Sequence, residues 1–201
     1  PALTVVKKMT PHQLSYASVF GINAVPLNNG VVKDLVILED FGQNKHKRER
    51  YNFLRAEIQR KYPISSKSGV FILRGNTGDK RQLLNEHEVI EFLKKKDFNI
   101  VNPEKESVDE IISKCRVDIL IGVEGSHLSH FNYSGNDQGA IIAIQPPDRF
   151  NNVYKDYADC VDMTYGFIVG NRHSSGCFTV DIGALDDILN QVVHKINIRS
   201  Y

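Results

Sequence analysis

From about residue 69 onward the apolar positions fall into short unbroken runs, separated by longer segments in which apolar and polar residues are interleaved. The runs "VFILR" (70–74), "FNIV" (98–101), "DILIGV" (118–123), "AIIAIQ" (140–145) and "YGFIV" (165–169) read as buried strands. Between the first two, "QLLNEHEVIEFLKKK" (82–96) carries Leu83, Leu84, Val89, Ile90 and Leu93 at helical spacing. "SVDEIISKC" (107–115) reads as a helix with Ser107 as N-cap and Glu110 closing a capping box. Further helices are expected from about Ser126, over "NVYKDYADC" (152–160) and over "ALDDILNQVVHKI" (184–196). The strands lack the polar–apolar alternation of a half-exposed antiparallel sheet, so strand–helix repetition predicts a parallel sheet covered on both faces. The expected fold is α/β, a Rossmann-like doubly wound domain. Ligands in such domains sit beyond the carboxyl ends of the strands, where strand order reverses.

The first 65 residues are patterned differently. "LTVV" (3–6) and "VVKDLVIL" (31–38) read as strands, "PHQLSYASVFG" (11–21) as a helix, and "NKHKRERYNFLRAEIQRKY" (44–62) as a basic helix whose charges form a solvated face. The boundary is placed near residue 42, with residues 43–201 forming the Rossmann-like domain.

Composition narrows the function classes. The 201 residues are 41% hydrophobic and 24% charged, with a formal charge of +1, so no global field draws the chain to nucleic acid or to a membrane surface. No apolar run approaches the roughly 20 residues that span a bilayer, and nothing reads as a signal peptide. The start at Pro1, without methionine, reads as that of a fragment. Cys115, Cys160 and Cys177 are odd in number and widely spaced, fitting neither a disulfide framework nor a zinc motif, and reduced thiols in a cytoplasmic protein are expected. Asn132-Tyr133-Ser134 is a sequon of a kind that arises readily by chance.

Candidate chemistry gathers at the strand ends. "IGVEGSHLSH" (121–130) leaves a buried strand and sets down Glu124, Gly125, Ser126, His127 and His130 in quick succession. One reading is a strand-to-helix turn that holds an anion, its glycines allowing close backbone approach and its helix start offering N–H groups. The other is a metal site from Glu124, His127 and His130, although the i, i+3 histidine spacing differs from the usual i, i+4 and a fourth ligand is missing. In "LRGNTGDKRQLLNEHEV" (73–89), Arg74, Gly75 and Arg81 flank a second strand-end loop, and arginine forks suit phosphate oxygens. For Arg81, pairing with Glu86 or Glu88 competes with that role. "QPPDRF" (145–150) is a stiff polar loop suited to a ribose or sugar, with Gln145 at its root and Asp148 or Asn151 available to cap the next helix.

With these pieces in order, the chain resembles glycosyltransferase family 61, which includes plant protein xylosyltransferases, the O-mannose and EGF-domain N-acetylglucosaminyltransferases and bacterial capsule enzymes. The resemblance is carried by Arg74 with Arg81, Asn85-Glu86, Glu88, "FNIVNPEKESVDEII" (98–112) and the 121–130 loop. It continues through "AIIAIQP" and "YKDYADCVDMTYG", and upstream through "LTVVKKMTPHQLSYASVFGI" and "DLVILEDF", so it runs over nearly the whole chain.

The resemblance implies a GT-B architecture of two facing Rossmann-like domains, with residues 43–201 as the nucleotide-sugar-binding half and residues 1–42 as the tail of the acceptor-side domain. It implies an inverting transfer of a sugar from a nucleoside-diphosphate sugar, a UDP-sugar first among them, to a hydroxyl on a glycan or protein, in polysaccharide or glycan biosynthesis. No metal, cofactor or nucleic acid is expected. Arg74, Gly75, Arg81, Gly125, Ser126, His127 and Gln145 would bind the donor, and Glu124 would act as base. Location would be cytoplasmic, membrane-associated through other regions, or the secretory pathway for a eukaryotic fragment.

The family loop reads Gly, variable, His, Gly, Ala, Gly, Leu, Thr, Asn. Here Glu124, Ser126, His127, Ser129 and His130 replace the histidine, alanine, second glycine, threonine and asparagine. The altered loop motivates an alternative, a non-catalytic glycosyltransferase-like binding module. A dehydrogenase-like Rossmann protein lacks support, since no GxGxxG follows the first strand.

Overall fold

A computed structural model describes residues 2–4, 8–27, 29–37, 44–75, 80–174 and 176–199. The chain opens with β1 (Ala2–Thr4), α1 (Pro11–Val19) and β2 (Ala24–Pro26), and α1 begins with a Thr10–Gln13 capping box and a proline in its first turn. Then come α2 (Lys45–Lys61), β3 (Gly69–Ile72), β4 (Gln82–Leu83), α3 (Glu86–Lys95), β5 (Phe98–Val101) and α4 (Val108–Lys114). β6 (Ile119–Val123) leads through a 3-10 turn (Ser126–Leu128) into α5 (Ser129–Ser134). The remainder is β7 (Ala140–Gln145), α6 (Val153–Cys160), β8 (Thr164–Val169), β9 (Asn171–Ser174), β10 (Cys177–Thr179) and α7 (Ile182–Arg199).

Five strands form one parallel sheet in the order β5-β3-β6-β7-β8. The chain steps outward from β3 to β5, then crosses back to place β6 on the other side of β3. Strand order therefore reverses between β3 and β6, and in sheets of this kind the ligand crevice lies beyond the carboxyl ends of such a pair.

Both faces are covered, as the apolar runs predict. Phe71, Ile121, Val123, Ile142 and Ile144 pack under α3 and α7 through Val89, Leu93, Leu185, Leu189 and Val192. Val70, Ile72, Leu120, Ile141 and Ala143 pack under α4, α5 and α6 through Ile111, Phe131, Tyr154 and Ala158. Burying one such side chain contributes about 1.5–3 kcal/mol. α1 leans on this body through Tyr16, Val19 and Phe20, which meet Ile58, Val108 and Ile112.

Three expectations need correction. Gln82 and Leu83 do not open a helix: they pair with Cys177 and Phe178 in a small sheet ordered β4-β10-β9, and Leu83 and Phe178 are drawn into the core. The helix starts after Asn85, whose amide side chain is bonded both ways to the Val180 backbone. Residues 31–37 form no strand, and Val31, Leu35, Val36 and Ile37 are exposed, while Leu38 lies outside the described residues. The turn after β6 is 3-10 followed by only six α-helical residues, so a macrodipole is a minor part of any anion-binding argument. β2, β9 and β10 had no counterpart in the sequence pattern.

Candidate functional site at the strand reversal

Arg74 follows β3 and Glu124 follows β6, neighbouring strands whose pairing places Ile72 beside Gly122. Arg74 Nη1 donates to the Glu124 carbonyl at 3.2 Å, and Arg81 Nη1 donates to the same oxygen at 2.9 Å. Arg81 also meets the Glu124 carboxylate at 2.5 Å, in a pair whose side chains are only 10% and 4% exposed. The guanidinium of Arg81, just ahead of β4, thus reaches Glu124 at the strand ends.

Gly125 is required by this convergence. A Cβ there would collide with Arg74 Nη1 and press on the His127 ring at 3.1 Å. Gly75 adopts a left-handed φ of 70°, which glycine adopts without penalty, and a Cβ would strike the Glu104 carboxylate at 2.5 Å. Residues 76–79, the centre of this loop, lie outside the described residues.

The histidines part company. His127 folds back over β6 and bonds the Val123 backbone, while its Nε2 is buried without a hydrogen-bond partner. Burial first, then the positive charge of Arg74 with neighbouring His130 and Arg81, lowers its pKa to about 3. His130 instead meets the Tyr16 hydroxyl of α1 at 2.5 Å through Nδ1, and its ring lies 5.0 Å from that of His12. Burial and then His12 lower its pKa to about 4. Burial raises the Tyr16 pKa, so the phenol stays protonated beside His130. Glu124, His127 and His130 thus face three different sets of partners, and among the described residues no cluster of three or more potential metal-ligating side chains forms.

Glu124, the expected base, is 3% exposed and committed to Arg81, a geometry suited to orienting the guanidinium. Gln145 is likewise bound to the protein's own groups. Fully buried, it donates from Nε2 to the Asn151 carbonyl at 2.8 Å and to the Tyr165 hydroxyl at 3.1 Å, and its Oε1 accepts from Asn151 N–H. It roots the 146–151 loop, and the Asn151 side chain caps Val153 N–H at 3.0 Å. Ser126 is exposed at the rim.

Two residues had gone unremarked beside Glu124: Tyr154, whose hydroxyl meets Ser129 Oγ at 3.0 Å and whose pKa burial pushes up to about 12, and Tyr165. Only the capping pattern around residues 151–153 hinted that the first turn of α6 returns to the crevice. The sequon asparagine, Asn132, is 2% exposed and so closed to modification in the fold. All three cysteines are free and buried. No helix among the described residues is long and apolar enough to cross a membrane.

Comparison with curated proteins yields no match. A family model described as Glycosyltransferase 61 matches residues 6–141, more than half of the 201. The match is shorter than the resemblance expected from the motifs. It ends two residues into β7, leaving α6, β8, the β9–β10 hairpin and Gln145 outside it. What it does contain is the whole strand reversal, from Arg74 through the Glu124–His127 turn, so sequence family and crevice geometry coincide on the same residues: the chain belongs to glycosyltransferase family 61.

Proposed function

We propose that this chain is the donor-binding half of a GT-B glycosyltransferase that transfers a sugar, with inversion, from a nucleoside-diphosphate sugar to a hydroxyl of a glycan or protein. Residues 1–42 would be the tail of the acceptor-side domain. A UDP-sugar is the donor we favour, and glycan or polysaccharide biosynthesis the setting. The observation that carries the reading is the convergence of Arg74 and Arg81 on the Glu124 carbonyl at the strand reversal. The two guanidiniums bring positive charge to the strand ends, where a diphosphate would depart. Such charge, fixed before the reaction, stabilises the leaving group without reorganisation in the transition state. Gly75, Gly125, Ser126 and His127 complete the cradle, and no metal is invoked. Glu124 acts as a positioning residue for Arg81, and the base that takes the acceptor's proton is assigned to the facing domain.

Isothermal titration with UDP, GDP and CMP, each with and without a divalent metal, tests this. Binding of at least one nucleotide, lost in Arg74→Ala, is expected. No heat from any of them removes the donor-binding assignment. A second reading, a non-catalytic binding module, draws on the His127 ring standing where the family carries glycine. It predicts that Arg74→Ala leaves function in cells unchanged.

A further inference from the structure

Beyond the cradle, the same rim carries an apolar shelf that the strand-end chemistry leaves unused. Phe150 and Phe167 meet edge to face, centroids 5.1 Å apart and planes at 80°, yet they remain 51% and 45% exposed. Val169, two residues on along β8, is 48% exposed, and Tyr165, two residues back, lies 6.3 Å from Phe167. Isolated surface apolar residues are ordinary, but a contiguous aromatic patch on the rim of a site points to a ligand.

The patch is held in place. Phe150 belongs to the loop that Gln145 and Asn151 anchor, with Pro146 and Pro147 at its start. Asp148 ties the same loop to the hairpin through an ion pair with Arg172 and a contact from Gly176 N–H. A ligand would therefore meet rings already ordered, with little entropy left to lose.

We propose that Phe150 and Phe167, with Val169, form a stacking platform for a pyranose ring of the acceptor glycan. The inference rests on the transferase reading above. Sugars present a patch of C–H groups on one ring face and hydroxyls around the edge. The first suits the negative face of an aromatic ring, and the second suits the Asp148 and Arg172 side chains beside it. Continuity with the cradle supports this placement: Tyr165 stands between Phe167 and the Glu124 pocket on the same face of the sheet. β8 lies two strands beyond β6, about 10 Å along the rim at the usual inter-strand spacing. The acceptor, rather than the donor's base, is the occupant because Phe167 and Val169 lie on β8, the edge strand of the sheet, with Phe150 on the loop beside it, a surface that admits a chain of sugars.

The protein has no tryptophan, so Phe150→Trp places a single, selectively excitable tryptophan on the shelf while keeping an aromatic face. Titration of that variant with xylotriose, chitotriose, cellotriose and mannotriose is expected to give a saturable change with at least one of them, with a Kd in the millimolar range. Adding Phe167→Ala should weaken that affinity about tenfold. UDP binding, followed by calorimetry in Phe150→Ala and Phe167→Ala proteins, should not change. Absence of a saturable response to every trisaccharide overturns the platform. So does loss of UDP affinity in the folded alanine variants, which would give the shelf to the donor. If the trisaccharides respond while the wild-type protein binds no nucleotide, the platform stands and the donor reading falls.

Discussion

One pair of arginines closes the carboxyl end of the short helix α5 and another gathers on Glu124 ahead of it, and the two pairs behave differently. At its carboxyl end Arg55 donates to the Asn132 and Gly135 carbonyls at 3.0 and 2.8 Å and to Asp137, while Arg116 donates to the Ser134 carbonyl at 3.1 Å. Both are nearly sealed, at 2% and 4% exposure. They satisfy carbonyls that a helix end leaves without partners, and their charge complements the negative end of the helix. At the end of β6, ahead of the same helix, Arg74 and Arg81 converge on the carbonyl of Glu124, and Arg81 also on its carboxylate. The same side chain thus serves the fold at one end, and at the other, on the proposed reading, supplies charge for an arriving anion.

The contrast is broken most directly at the sealed end. Arg55→Ala strips three acceptors at once, two of them buried carbonyls, and should cost about 3 kcal/mol of stability, read from the urea midpoint. A loss under about 1 kcal/mol would mean that the clamp does not hold α5. Next comes Arg81→Ala, which leaves the Glu124 carboxylate buried without its ion-pair partner and should cost about 2 kcal/mol together with nucleotide affinity. Adding Glu124→Gln removes the stranded charge. The double variant should regain most of the stability and none of the binding, a separation that a merely structural Arg81 would not produce.

How much of this could be read before the fold was known follows from the range of each interaction. Apolar runs such as 140–145 specify buried strands locally, and β7 spans those same residues. The Ser107–Glu110 capping box likewise formed as the local pattern dictates. Gln82-Leu83 misled because helical spacing continued through residues whose fate was set by a strand about 95 positions later. "VVKDLVIL" has strand composition, but residues 31–37 lack the burial that stabilises a strand. At the site, the glycines and arginines were legible as residue types suited to anions. The inward turn of Glu124 and the full burial of Gln145 were not, because both depend on tertiary partners. The two clamp arginines were equally hidden, since Arg55 looked like one more charge on a basic helix.

Acid should expose a smaller difference between the two ends of α5. His127 and His130 lie in its first half and the turn before it, with pKa values lowered to about 3 and about 4 from an ordinary 6.5. The unfolded chain then binds more protons between those values, so stability rises with pH across the window. The contribution is complete above about 6.5 and is lost as pH falls toward 4 and then 3. His130→Gln should flatten the fall in Tm between pH 6.5 and 4 even if the variant is less stable throughout. An unchanged slope would mean that His130 does not carry the effect.

The smallest expected change in stability is also the sharpest test of the open end. Arg74→Lys keeps the positive charge but replaces a planar fork with a compact ammonium. Arg74 is only partly buried, so the urea midpoint should stay within about 0.5 kcal/mol of wild type. If Arg74 recognises phosphate oxygens through paired, directional donors, UDP affinity should nevertheless fall about tenfold. The same exchange at Arg55 should do the reverse, lowering stability because one ammonium cannot span carbonyls on Asn132 and Gly135 and the Asp137 carboxylate as the fork does, while leaving nucleotide affinity in the folded protein unchanged. A pair of lysine variants that moved both quantities together would erase the distinction, because each arginine pair would then be serving the position of α5 and nothing at the rim would be set aside for a ligand.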